Sequence, residues 1–262
     1  MNTTSAPSYR PIRAAQDAAT MLGRNLRHTM RSPDTMIMTI AIPIVILLMF
    51  VYVFGGAMQA SDHYIDYVVP GIILLCAGFG SATTAVSVAT DMRDGIIDRF
   101  RAMPLSHSAV LTAHVAESVL RNLLTTGLVV LVAIGLGFRP TADPLSWLGV
   151  LAVIGLFVIA LSWLAVTIGL LAPNPEAANG FSFTFMFLPY VSSAFVPPNT
   201  MPAGLRWFAH NQPVTPVIET VRGLLLGTPI GHNATLAVAW WSGIAIIGFL
   251  LSAWLFRKRT KD

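Results

Sequence analysis

An all-α integral membrane protein with six transmembrane helices is the fold class predicted by three features of this chain. Of its 262 residues 55% are hydrophobic and only 11% charged, where a soluble domain carries roughly 25% charged residues. The mean hydropathy is +0.69. Six stretches approach the ~20 apolar residues that cross a hydrocarbon core: residues 36–54, 68–90, 120–138, 145–171, 179–195 and 235–256. The third feature is where the positive charge lies. Five arginines precede the first stretch, three lie between the second and third, and four bases follow the sixth, so 12 of 16 share one side. The excess of bases places both termini and the 91–106 loop in the cytoplasm. The pI near 9.6 then reflects insertion into a membrane, with no nucleic acid as partner.

Taken in order, the N-terminal segment 14–32 reads as an amphipathic helix. Ala15, Ala19, Leu22, Leu26 and Met30 recur at helical spacing, with Arg13, Arg24, Arg27 and Arg31 on the other face. Such a helix lies in the membrane interface with its arginines toward lipid phosphates; the alternative is a disordered basic tail. No cleavable signal peptide is visible, and the first apolar run has full span length.

Between the second and third runs stands DMRDGIIDRFRAMPLS, residues 91–106. As a helix over 91–104 it sets Met92, Ile96, Phe100 and Met103 on one face and Asp91, Asp94 and Asp98 on another. Pro104 stops or bends it. Asp94 and Asp98 repel at i,i+4. The pattern suits either a helix awaiting a partner surface or one resting on lipid headgroups.

The fifth run, interrupted by Pro189, carries Phe181, Phe183, Phe185, Phe187 and Tyr190. These rings suit an aromatic substrate pathway or plain lipid-facing filling. After it, residues 196–233 hold six prolines in a loop too greasy for water. Pro202 opens a short helix through Ala209. Thr215 caps a second, with Pro216 at its first position and Gly227 past its end. On that helix Glu219 reaches Arg222. Partial re-entry among the spans is the physical reading, a plain surface loop its alternative.

Several functions are excluded. Cys76 is the one cysteine, so neither a disulfide framework nor a thiolate metal site is possible. The six histidines never fall at metal spacing, and H-E-x-x-H and G-x-S-x-G are absent. His107 and His114, near Glu117, read as a helix surface. No G-x-x-x-x-G-K-[ST] loop cradles ATP phosphates. All twelve acids sit in loops or near span ends, with Glu117 and Asp91 the nearest to a span interior, so no carboxylate relay is expected. Uphill transport then needs a second chain for energy.

DGIIDRFRAMPLS, AFVPPNTMPAGLRWFAHNQPVTPVIETVRGLLLG and RNLRHTMRSPDTMIMTIAIPIVILLMFVYVFGG together resemble permeases of type-2 ABC exporters of the daunorubicin/doxorubicin-resistance class. The resemblance runs from about residue 20 to the end and makes residues 1–262 one permease domain. It implies pairing with a second permease, a copy or homologue, and with two ATP-binding subunits that hold ATP and Mg; this chain itself holds no cofactor. It also implies that 91–104 is a coupling helix, with Gly95, Arg99, Arg101 and Pro104 at matching positions. Where related permeases often have Glu and Thr around that glycine, this chain has Asp94 and Ile96. The cargo implied is a small amphipathic or drug-like molecule crossing the cell membrane outward. Export of a lipid or glycan on the same fold, and a membrane enzyme or structural subunit without transport, are the rival readings.

Overall fold

The computed structural model describes residues 23, 33–55, 64–95 and 107–259. Among them every regular element is helical. We number them α1 Pro33–Leu48, continued by π-helical Met49–Phe54; α2 Tyr64–Arg93; α3 His107–Gly135; α4 Pro144–Leu171; α5 Pro175–Phe187, running into a 3₁₀ turn Leu188–Val191; α6 Ala203–Asn211; α7 Val214–Leu226; and α8 Asn233–Arg259. A short 3₁₀ turn, Pro198–Thr200, precedes α6.

Local signals set several ends. Asp143 caps α4, its Oδ1 accepting the Ser146 N–H at 2.7 Å, and Pro144 opens the helix. Hydrogen bonding from the Ser146 side chain, and secondly from its N–H, holds the Asp143 carboxyl below the usual carboxylate range. Asn174 caps α5 in the same way, accepting from the Ala177 N–H at 2.7 Å. Gly227 ends α7 in the left-handed region at φ 72°, which a residue without Cβ adopts freely.

Four helices among the described residues are long and apolar enough to cross a membrane: Tyr64–Arg93, Val110–Gly135, Pro144–Leu171 and Asn233–Lys258. Thr39–Phe54 is a shorter apolar helix. Two expectations change. The third span begins near Val110, ten residues before the predicted start, because α3 continues the helix through His114 and Glu117. The fifth run is the 13-residue α5 and a single 3₁₀ turn, followed by non-helical backbone from Ser192. Pro189, lacking an N–H, stands where the α-helix tightens and ends.

Helix α4 is the centre of the bundle, packed against α2, α3, α7 and α8. Ile72 and Leu75 of α2, Ile154, Phe157 and Leu161 of α4, and Val217, Ile218 and Val221 of α7 are buried together. Phe157 meets Trp241 of α8 edge-on at 4.4 Å between centroids. The interior is apolar, but so is the outside. Leu124, Leu128 and Leu131 of α3 and Ile246, Ile247, Leu250 and Trp254 of α8 are exposed. In water that surface drives aggregation; in hydrocarbon it is neutral. This is a multi-pass membrane protein.

Without a hydrophobic drive between helices, close backbone approach holds such a bundle together. At Gly169 an added Cβ meets the Ala85 carbonyl oxygen at 2.6 Å and Val88 Cβ at 2.8 Å. Gly169→Ala therefore lowers the melting temperature in detergent despite gaining about 1 kcal/mol of helix propensity. Gly180→Ala, where a Cβ meets nothing within 4 Å, keeps the propensity gain and does not lower it. Equal melting of both variants would show that α2 and α4 do not touch here.

Candidate polar sites in the bundle

Two polar assemblies interrupt this apolar core. The first is a stripe along α3: His114, Glu117, Ser118, Asn122, Thr125 and Thr126 are all buried, while Leu120, Leu124, Leu128 and Leu131 face outward. A soluble amphipathic helix has the reverse arrangement. The stripe faces α2. His114 Nε2 lies 3.2 Å from Asp91 Oδ2 at the end of α2. Two helical turns along α3, Arg121 Nη1 donates to Glu117 Oε1 at 2.6 Å. Its Nη2 donates to the Gly80 carbonyl and to Thr84 Oγ1, both at 2.9 Å and both on α2. Ser118 and Ser162 of α4 join by a hydroxyl pair at 2.8 Å. Charged groups at such depth are costly unless paired or hydrogen-bonded. Here the guanidinium fork does both.

The second assembly centres on Arg222 of α7. Its Nη1 pairs with Glu219 Oε1 at 2.5 Å. Its Nη2 donates to the carbonyls of Tyr67 at 3.0 Å and Ser193 at 2.8 Å. The guanidinium also lies 4.0 Å from the centroid of the Tyr67 ring, a cation–π arrangement. Around it, side chains satisfy the backbone where the fifth run loses helix. Gln212 Nε2 donates to the Leu188 and Val191 carbonyls at 3.4 and 3.2 Å, and the Tyr64 hydroxyl donates to the Phe195 carbonyl at 3.1 Å. Trp241 Nε1 donates to the Pro213 carbonyl at 2.9 Å. Irregular backbone persists beside membrane spans only when protein groups serve it in this way.

Among the described residues no group of three His, Cys, Asp or Glu is placed to hold a metal. Comparison with known proteins decides the class. The family model described as ABC-2 type transporter matches residues 16–226. The chain belongs to the ABC-2 type transporter family. Similar curated proteins include the daunorubicin resistance ABC transporter permease protein of Streptomyces coeruleorubidus, 28% identical over 263 residues, covering 99% of this chain and 93% of the relative. Another is the probable doxorubicin resistance ABC transporter permease protein of Mycobacterium tuberculosis, 27% identical over 238 residues, covering 88% and 85%.

Within this ABC-2 transporter the residues singled out from sequence fall in several places. Asp91, Met92 and Arg93 are the last turn of α2 and do not begin a separate helix. Asp94 and Gly95 form the turn after it, with Gly95 at φ 65° and the Arg93 Nε bonded to Asp94 Oδ1 at 3.0 Å. Met92 packs against the cluster of Val88, Leu111, Val115 and Trp163, which takes it off the apolar ridge drawn through Ile96, Phe100 and Met103. Ile96, Arg99, Phe100, Arg101, Met103 and Pro104 lie outside the described residues, as do Arg24, Arg27 and Arg31.

Pro213, Pro216, Glu219, Arg222 and Gly227 lie along α7 from one end to the other, with Glu219 and Arg222 in contact, and the inner face of the helix is buried against α2, α4 and α8. Thr215 does not cap α7: that helix starts at Val214, and the Thr215 hydroxyl instead donates to the Ala209 carbonyl at 2.6 Å. Phe181 and Phe187 are exposed and Tyr190 partly so, with Phe187 and Tyr190 6.2 Å apart; the Phe185 side chain lies outside the described set. Sequence reading missed the α3 stripe. The signal was there, polar residues at 114, 117–118, 121–122 and 125–126, but it crossed the predicted start of the span.

Proposed function

We propose that this chain is the membrane-spanning permease subunit of an ATP-driven exporter that moves drug-like or amphipathic molecules out of the cell. It crosses the cell membrane six times, with α1 and the α5 region as the two spans beyond the four long helices, and with both termini in the cytoplasm. It pairs with a second permease and with two ABC ATP-binding subunits that hold ATP and Mg. Residues 94–104 meet those subunits, residues 14–32 lie on the cytoplasmic leaflet, and 196–233 is the outer re-entrant segment.

One observation carries this reading: nearly the whole chain matches a permease named for daunorubicin resistance, while the chain lacks a phosphate-binding loop of its own. The reading is tested in inside-out vesicles that contain the chain with an ABC ATP-binding subunit. ATP-dependent accumulation of an anthracycline is the expected result. Phe100→Ala is expected to cut recovery of the ATP-binding subunit about 30-fold, the loss typical of a central aromatic anchor. No accumulation with any amphipathic cargo, or ATP hydrolysis by this chain alone, would overturn the reading.

Orientation has its own test. In a Cys76→Ala background, Asp62→Cys and Asn199→Cys should label from outside intact cells, because 12 of the 16 bases hold the other face in the cytoplasm. Labelling that requires permeabilised cells would reverse the topology.

A further inference from the structure

The α2–α3 seam is tied at two levels. His114 meets Asp91 at one level; Arg121 meets the Gly80 carbonyl and Thr84 at the other. Seven residues of α3 separate the ties, about 10 Å along the helix. A single contact between two helices leaves a pivot, about which they scissor or roll. Two contacts separated along the axis remove that freedom. The small-residue interface adds to this, since at Gly80 an added Cβ would overlap the buried Asn122 amide, itself held by the Ser118 carbonyl and hydroxyl.

The two ties differ in kind. Arg121 is bonded on its own helix by Glu117 and on the neighbouring helix by two acceptors, so its fork is oriented from both sides. A lysine keeps the charge opposite Glu117 but presents a point donor without the planar fork. The chemistry therefore needs arginine, where charge balance alone needs only a cation.

We propose that Arg121 is a positioning residue that locks α2 and α3 into one rigid lever, so that force applied to residues 96–106, which join the two helices, moves both together. The mechanical consequence rests on the exporter reading; the lock does not. In transport it means that a push from the ATPase reaches Gly80, at mid-length of α2, instead of being lost in slippage between the helices.

The test uses the full chain in nanodiscs with spin labels at Ser87→Cys and Ala116→Cys in the Cys76→Ala background; both positions are exposed, one on each helix. The label–label distance distribution is expected to be narrow with native Arg121 and at least about twofold broader in Arg121→Lys. Thr84→Val, which removes one acceptor and no charge, should broaden it to a lesser degree. The same distribution in all three would overturn the lock, with or without an ATPase present. With the ATP-binding subunit, Arg121→Lys should keep the KM for ATP and the hydrolysis rate while transport per ATP falls about fivefold. Unchanged coupling alongside a broadened distance would overturn the lever. Failure of native Arg121 to support any ATP-dependent transport would instead count against the exporter reading.

Discussion

Glu117→Met should cost the folded bundle about 3–5 kcal/mol, because it strips a buried cation of its countercharge. Arg121 and Glu117 are 11% and 6% exposed in their side chains and 2.6 Å apart. Packed protein covers most of the pair, and little water can take over when the carboxylate is gone. Methionine matches glutamate in length, so packing changes little and the loss reports charge. The expected result is a sharp drop in detergent-stable protein and in the thermal unfolding midpoint. Replacing both partners, Glu117→Met with Arg121→Met, should recover most of that stability, since an apolar pair of similar volume leaves no charge buried. The double variant is then informative in a second way: stable, yet without the ties from Arg121 to α2. A Glu117→Met protein that melts with the wild type would mean that Arg121 has found another anion or reaches water.

Arg222→Met should be nearly as damaging, by about 2–4 kcal/mol. The guanidinium serves the Tyr67 and Ser193 carbonyls and the Glu219 carboxylate at once. Its removal leaves buried carbonyl oxygens with one partner fewer at the place where α7, the start of α2 and the non-helical backbone after α5 converge. Lysine restores the charge and cannot reach three acceptors from one point, so Arg222→Lys should fall between wild type and Met. Thermal unfolding and protease sensitivity of the 196–213 region measure both. If Arg222→Met unfolds at the wild-type temperature, these contacts do not hold α7 in place.

Much of this architecture was legible in the chain because it is local. Length and apolarity of a run decide whether it can span a bilayer, and α2, α4 and α8 follow. Gly227 announces a helix end through a backbone angle of its own. The Glu219–Arg222 pair is likewise an i,i+3 contact on one helix. The family, too, was readable, from three segments far apart in the chain.

Which face of a helix turns inward was decided only by tertiary structure. In water, polarity sorts the two faces; between lipid and an apolar interior it does not, because leucine is equally at home on either side. The α3 stripe from His114 to Thr126 has meaning only once Asp91, Gly80 and Thr84 of α2 stand opposite it. Arg121 lies well inside α3, because that helix begins at His107 and not at the predicted span start near 120. Thr215 had the chemistry of a cap and serves the Ala209 carbonyl instead, and Met92 suited an exposed ridge yet packs on Val88 and Trp163. Each of these turns on a neighbour distant in sequence and a few ångströms away in space.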